Sequence, residues 1–220
     1  MAAPCAVYVH VPFCVKKCVY CDFVSYPGRQ DRWQAYFEML RKEIRSWTGR
    51  MAGRSVETVF FGGGTPSLPP AEYLADTLNE IRACFSLSEG AEITLEANPG
   101  TADAEKLRKL RRAGFNRISF GAQAMDDGLL RTLGRIHTAE QVGGIVEAAR
   151  IAGFENLNLD LMYALPGQTT ELWRDTLRQA LLLHPEHISA YSLILEEGTP
   201  MAAMAEAGGP TKVIPAVSSA

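Results

Sequence analysis

The sequence predicts an α/β protein built as a partial (β/α)6 TIM-like barrel, and three observations predict it. Short runs of β-branched and aromatic residues alternate with longer runs of helical period, which is the signature of serial βα units. Six such units fit before about residue 195, whereas a closed eight-unit barrel takes about 250 residues. Two of the strands are apolar on one face and polar on the other, as expected of a lumen that holds a polar ligand instead of a solid core.

Taken in order, the strands are predicted at 6–12, 56–61, 91–97, 116–121, 156–162 and 188–195. Asp31 stands before the periodic Trp33, Tyr36, Phe37, Leu40 and Ile44 and predicts a helix start there. Leu78, Ile81, Cys84 and Phe85 mark the apolar face of the next helix. In the third strand Ile93 and Leu95 oppose Thr94 and Glu96. Gly114 and Gly153 sit where helices stop before strands four and five. In the fifth strand Leu157, Leu159 and Leu161 share one face, and Asn158 and Asp160 share the other. Thr169 and Thr170 open the helix carrying Leu172, Trp173, Leu177 and Leu181.

Residues 1–200 therefore read as the core domain. Beyond Thr199 and Pro200 the text turns Ala-rich and then Gly/Pro/Ser-rich, so 201–220 reads as a disordered or truncated tail. The sixth strand is left as an edge carrying Ile188, Ile194 and Leu195, through which a dimer is expected.

The 220 residues carry a net charge of −3, and the lysines and arginines are scattered. That distribution leaves no electrostatic footprint for nucleic acid or anionic lipid. No window is apolar enough to cross a membrane, and the first residues have no leader-like pattern, so the expected location is the cytoplasm. Five cysteines is an odd number, and three of them crowd into eight residues. Such crowding suits a metal site in a reducing compartment better than a disulfide framework.

Those three lie in Cys14-Val-Lys-Lys-Cys18-Val-Tyr-Cys21, directly after the first strand. Three thiolates on one loop can hold three irons of a [4Fe–4S] cubane, and the lack of a fourth cysteine leaves one iron open to an exchangeable ligand. Zinc completed by His10 or Asp22, and an inert structural role, stand as the other readings. Lys16 and Lys17 are either solvated or act to lower thiolate pKa. The run Gly62–Gly63–Gly64–Thr65 allows close backbone approach to a ligand or forms a plain turn; it lacks the ending of a phosphate loop. Cys84 reads as packing, and Cys5 has no evident partner.

The string Tyr8-Val-His10-Val-Pro12-Phe13-Cys14 with the following CxxxCxYC resembles radical S-adenosylmethionine (SAM) proteins of the oxygen-independent coproporphyrinogen III oxidase-like group. Further matches are Phe60-Phe61-Gly62-Gly63-Gly64-Thr65-Pro66-Ser67, Leu95-Glu96-Ala97-Asn98-Pro99, Arg117 to Gln123, Leu133 to His137, Asp160 to Gly167 and Glu197 to Pro200. The resemblance runs from about residue 6 to about residue 200 and implies a barrel of the radical SAM type. It also implies a cluster whose open iron chelates the methionine end of SAM and whose electron releases a 5′-deoxyadenosyl radical. By matching, it assigns Tyr8 to the start of the SAM pocket and Gly63, Gly64 and Thr65 to the methionine end. Glu96, Gln123, Arg135 and Asp160 fall to the ribose, adenine and methionine carboxylate. His10 either lines this site or hydrogen-bonds in the core.

Within the group, Tyr20 together with Asp22 and Phe23 looks like the HemW-type haem chaperone branch and not like the decarboxylating oxidases. The resemblance therefore implies haem or a porphyrin as a further ligand and a haem-accepting protein as a partner. Oxidation of coproporphyrinogen III and an inactive truncated fragment are the alternatives. Both branches continue past the region matched here, so a C-terminal domain is expected to be absent from this chain.

Overall fold

The computed structural model describes residues 3–208, and along them the chain alternates strand and helix. β1 (Ala3–Val11) leads into two short strands, β2 (Phe13–Cys14) and β3 (Tyr26–Pro27), and then α1 (Trp33–Ser46). β4 (Arg54–Gly63), α2 (Ala71–Cys84), β5 (Leu87–Ala97), α3 (Ala104–Ala113) and β6 (Arg117–Gln123) follow. The remainder is α4 (Asp127–Thr132), α5 (Ala139–Ile151), β7 (Asn156–Tyr163), α6 (Thr170–Leu182), β8 (His187–Ser192) and α7 (Pro200–Glu206).

Six strands pair in the order β1-β4-β5-β6-β7-β8, all parallel, as a curled half-barrel. Helices between the strands cover the convex face, where Phe61, Leu95, Ile118, Phe120, Leu157 and Leu159 are fully buried. The other side chains of the same strands point into the lumen. The pairing register stacks them in rows. One row runs Tyr8, Phe60, Thr94, Arg117 and Asn156; the next, nearer the carboxyl ends, contains His10, Gly62, Glu96, Ser119 and Asn158.

Capping follows elementary chemistry except at α1 and α2, which begin after Arg32 and Pro70 without a side-chain cap. Asp103, Asp126, Thr138 and Thr169 each accept a backbone N–H in the first turn of α3, α4, α5 and α6. Gly114 ends α3 with φ of 107°, a conformation that penalises any Cβ. Asp31 does not cap α1. It lies inside a short 3-10 turn, Gln30–Arg32, where Arg29 and Arg32 draw its carboxylate outward.

The sixth strand ends earlier than predicted. Leu193 N still donates to Tyr163 O at 2.9 Å as the last bond to β7, and beyond it the chain turns away as the Leu193 side chain joins a second apolar cluster. That cluster gathers Ala124, Leu129, Leu130, Leu133, Met162, Leu165 and Met201, with Val19 and Tyr20 of the cysteine loop against it. Met201 belongs to α7, so the first part of the expected tail is helical. Thr199 caps this helix, Pro200 sits in its first turn, and burial of Met201 anchors it. Residues 209–220 of that expected tail lie outside the described residues.

Candidate cluster and SAM site

β2 and β3 tie together the two ends of the cysteine loop. Tyr26 N donates to Pro12 O at 2.8 Å, and Gly28 N donates to Cys14 O at 3.3 Å. The loop top is pinned from two sides: Val19 N donates to Leu133 O at 3.3 Å, and Val19 O accepts from Met201 N at 2.9 Å. Cys14, Cys18 and Cys21 then face one cleft at the carboxyl ends of the strands, where barrels of this kind carry their chemistry. The cleft encloses about 700 Å³ counting its open mouth, a volume within the range of ligand sites.

Gly63, Gly64, Thr65, Glu96, Gln123, Arg135 and Asp160 line the same cleft as the cysteines. Gly64 is constrained by space: a Cβ there would stand 2.8 Å from Phe13 O and 3.1 Å from Cys14 Sγ. Gly63 combines φ of 117° with a Cβ position 2.7 Å from the His10 ring, so both glycines let backbone approach where side chains cannot. Gly63 N donates to Glu96 Oε2 at 3.2 Å.

Tyr8 stands one lumenal row below and is not among the side chains lining this cleft. It is 58% exposed, its hydroxyl meets His10 Nδ1 at 3.1 Å, and its ring stacks on Phe60. His10 Nε2 in turn donates to Val24 O at 2.9 Å, so this imidazole buttresses the loop beneath Gly63.

Burial raises Glu96, with the Asp160 carboxylate adding to it, and its pKa is pushed up to about 7. Asp160 is also raised by burial, opposed by hydrogen bonds from Ser119 Oγ (2.9 Å) and Asn158 Nδ2 (2.8 Å). Burial raises the Cys21 thiol, while the Phe23 N–H and the Lys17 ammonium pull it down. Of the two lysines, Lys17 thus acts in the expected direction, while its Nζ donates to Phe23 O at 3.0 Å.

Gln123 takes a backbone conformation uncommon for its type, with φ of 66° at a register shift between Gly121 and Gln123. The bulge is held from below by His137, whose Nε2 donates to Ala122 O at 3.2 Å. Burial lowers the His137 pKa to about 4, which keeps this ring neutral. Strain of this kind concentrates at ligand sites.

Several contributors carry no short-range sequence signal of their own. Asn98 joins Thr65 to Arg135; Ser119, Asn158 and Ser189 form a hydrogen-bonded string under Asp160. Ser25, 7% exposed, lines the cleft with a hydroxyl that has no partner among the described residues. Strand alternation already placed Asn158 on the polar face, and the same alternation could have flagged Ser119 beside it.

The donor set fits a cubane. Among the described residues no three His, Cys, Asp or Glu side chains converge on a point that would hold one ion. The three cysteines instead line one cavity, and thiolates that serve different corners of a cluster need not meet at one point. Donors stand beside them: Thr65 Oγ1 is 3.5 Å from Cys14 Sγ, and Arg135 Nη1 is 3.7 Å from Cys18 Sγ.

Residues 8–180 match the Radical SAM superfamily. The chain belongs to that family. As a radical SAM protein it is implied to use a [4Fe–4S] cluster and SAM. It is 42% identical over 201 residues to the heme chaperone HemW of Haemophilus influenzae, covering 89% of this chain and 52% of that protein. HemW of Escherichia coli is 41% identical over 197 residues, with the same coverage of 89% and 52%. Among solved radical SAM structures, coproporphyrinogen III oxidase (HemN) from Escherichia coli superposes with a TM-score of 0.84 at 31% identity, covering 93% of this chain and 47% of that one. The chain thus spans about half the length of the curated relatives it matches. No helix among the described residues is long and apolar enough to cross a membrane.

Proposed function

We propose that this chain is the radical SAM portion of a HemW-type haem chaperone, acting in the cytoplasm and handing haem to an accepting protein. The observation that carries the reading is the convergence of Cys14, Cys18 and Cys21 with Gly63, Gly64, Thr65, Glu96, Gln123, Arg135 and Asp160 on one cleft. The relatives named heme chaperone support its haem half.

In this proposal the cysteine sulfurs hold the cluster. The group supplies, when bound, the electron that cleaves the sulfonium bond of SAM. Gly63 and Gly64 let the backbone approach the methionine end closely, Thr65 stands beside it, and Arg135 presents a donor. Glu96 and Asp160 offer acceptors to hydroxyl groups of the ribose, and Gln123 offers an amide. Tyr8, one row deeper, steadies the His10 ring that stands against Gly63. Residues 1–200 form the working domain, and the open β8 edge carries either a second copy or a further segment of a longer protein.

Anaerobic reconstitution is expected to give about four irons and four sulfides per chain. Cys18→Ala abolishes uptake, and SAM perturbs the cluster's EPR signal. Haem titration followed by visible absorption tests the chaperone half. A chain that takes stoichiometric zinc and no iron under reducing conditions overturns the site. The likeness to HemN favours a second reading, oxidation of coproporphyrinogen III; product analysis with that compound separates the two.

A further inference from the structure

We infer that Asn98 is a positioning residue that directs hydrogen bonds onto two of the three cysteine sulfurs and thereby raises the reduction potential of the cluster. The inference rests on the reading that these cysteines hold a cluster.

The Asn98 side chain stands between partners of opposite demand. Arg135 has only donors, so the amide atom facing its Nη2 has to be the oxygen. The nitrogen then faces Thr65 and donates to Oγ1 at 2.9 Å. A hydroxyl has one hydrogen. With Oγ1 accepting from Asn98, that hydrogen is free for Cys14 Sγ at 3.5 Å, and a metal-bound thiolate can only accept. On the other side, Nη2 of Arg135 spends its hydrogens on Asn98 Oδ1 and on Gly121 O at 2.6 Å. The guanidinium plane is fixed, and Nη1 is left pointing at Cys18 Sγ, 3.7 Å away. One amide therefore orients a donor on each of two sulfurs.

The surroundings hold the amide in place. The Asn98 N–H donates to Ser67 Oγ at 3.3 Å, Thr101 Oγ1 donates to Asn98 O at 2.7 Å, and Ser67 and Thr101 meet at 2.6 Å. Gly121 supplies the room: a Cβ there would lie 2.7 Å from Asn98 Oδ1 and 3.0 Å from Arg135 Nη2. Hydrogen bonds to cluster sulfur favour the more negative reduced state, which raises the potential.

The test is a redox titration monitored by EPR on the reconstituted 220-residue chain and on Asn98→Ala, Thr65→Val and the double variant. Each single change is expected to move the midpoint to more negative potential. The double variant is expected to move it by less than the sum, because part of Asn98's effect passes through Thr65. Thr65→Ser restores the parent value. An unmoved potential in Asn98→Ala, or shifts that add in full, overturns the inference. If Asn98→Ala loses iron, Asn98→Asp decides the matter. Its carboxylate still accepts from Arg135 but draws the Thr65 hydrogen away from Cys14, so its shift must be smaller in the Thr65→Val background; an equal shift in both backgrounds overturns the inference. Iron and sulfide counts separate the two levels. A parent chain that takes up no cluster overturns the site reading and this inference with it, whereas loaded variants with uncoupled potentials overturn this inference alone.

Discussion

Glu96 and Asp160 face the lumen from neighbouring regions of one sheet, and their closeness has a cost that water would otherwise remove. Glu96 is held up to about 7 first by burial and then by Asp160, so between its unfolded value and that value the folded chain keeps a proton that the unfolded chain has released. The unfolded state binds fewer protons there, and stability falls as pH rises through that window. A shift of this size corresponds to roughly 3 kcal/mol at most, attained near pH 7 and constant above it. Neutral His137 contributes the opposite slope up to its unfolded value, so the Glu96 contribution is read as a difference: the denaturant midpoint of the cluster-free parent is expected to fall relative to that of Glu96→Gln between about pH 4.5 and 7.5. A difference that stays constant across the window would show Glu96 to be ionised in the fold. The two carboxylates were legible in the sequence because each sits on the polar face of an alternating strand. Asn98 and Ser25 were not, because nothing short-range distinguishes a loop amide or hydroxyl whose partners, or want of partners, are decided by residues far along the chain.

α7 is the piece where composition misled and packing decided. An alanine-rich stretch looks too poor in apolar surface to hold a place, yet one methionine suffices: Met201 is buried in the second apolar cluster, and its N–H holds Val19 of the cysteine loop. Met201→Ala removes buried volume at the rim, a loss of about 2 kcal/mol, and loosens the loop between Cys18 and Cys21. The expected result is faster bleaching of the reconstituted cluster in air with little change in far-UV circular dichroism; unchanged bleaching would assign the grip on the loop to Leu133 alone. The long strands were readable from β-branched runs and alternation. β2 and β3, two residues each, have no period to read, and their pairing is imposed by the chain returning to Pro12. β8 was read too long because Leu193 and Leu195 are as apolar as strand residues, although they pack with α7 and α4.

Among the described residues the six-stranded parallel sheet curls without closing and has two margins with no strand partner, β1 and β8. β8 is the barer, with Tyr191 55% exposed and Ile194 63% exposed just beyond it. Unpaired strand edges of this kind recruit other strands, so the chain at high concentration is expected to self-associate through β8. Tyr191→Lys places a charge on that margin and is expected to shift the size-exclusion profile toward monomer; an unaltered profile would move the contact elsewhere. The half-barrel class itself was legible from the count of βα units. Deeper in the molecule, the β2–β3 clasp bears on the order of events when metal arrives. By closing the loop over residues 15–25 through backbone bonds alone, it meets about 2 kcal/mol of loop-closure entropy before any iron is present. The chain is thus expected to act as a preformed chelator, unlike small zinc modules that fold only around their ion. On that expectation iron and sulfide enter a receptacle already standing, and far-UV circular dichroism is unchanged when a chelator strips them.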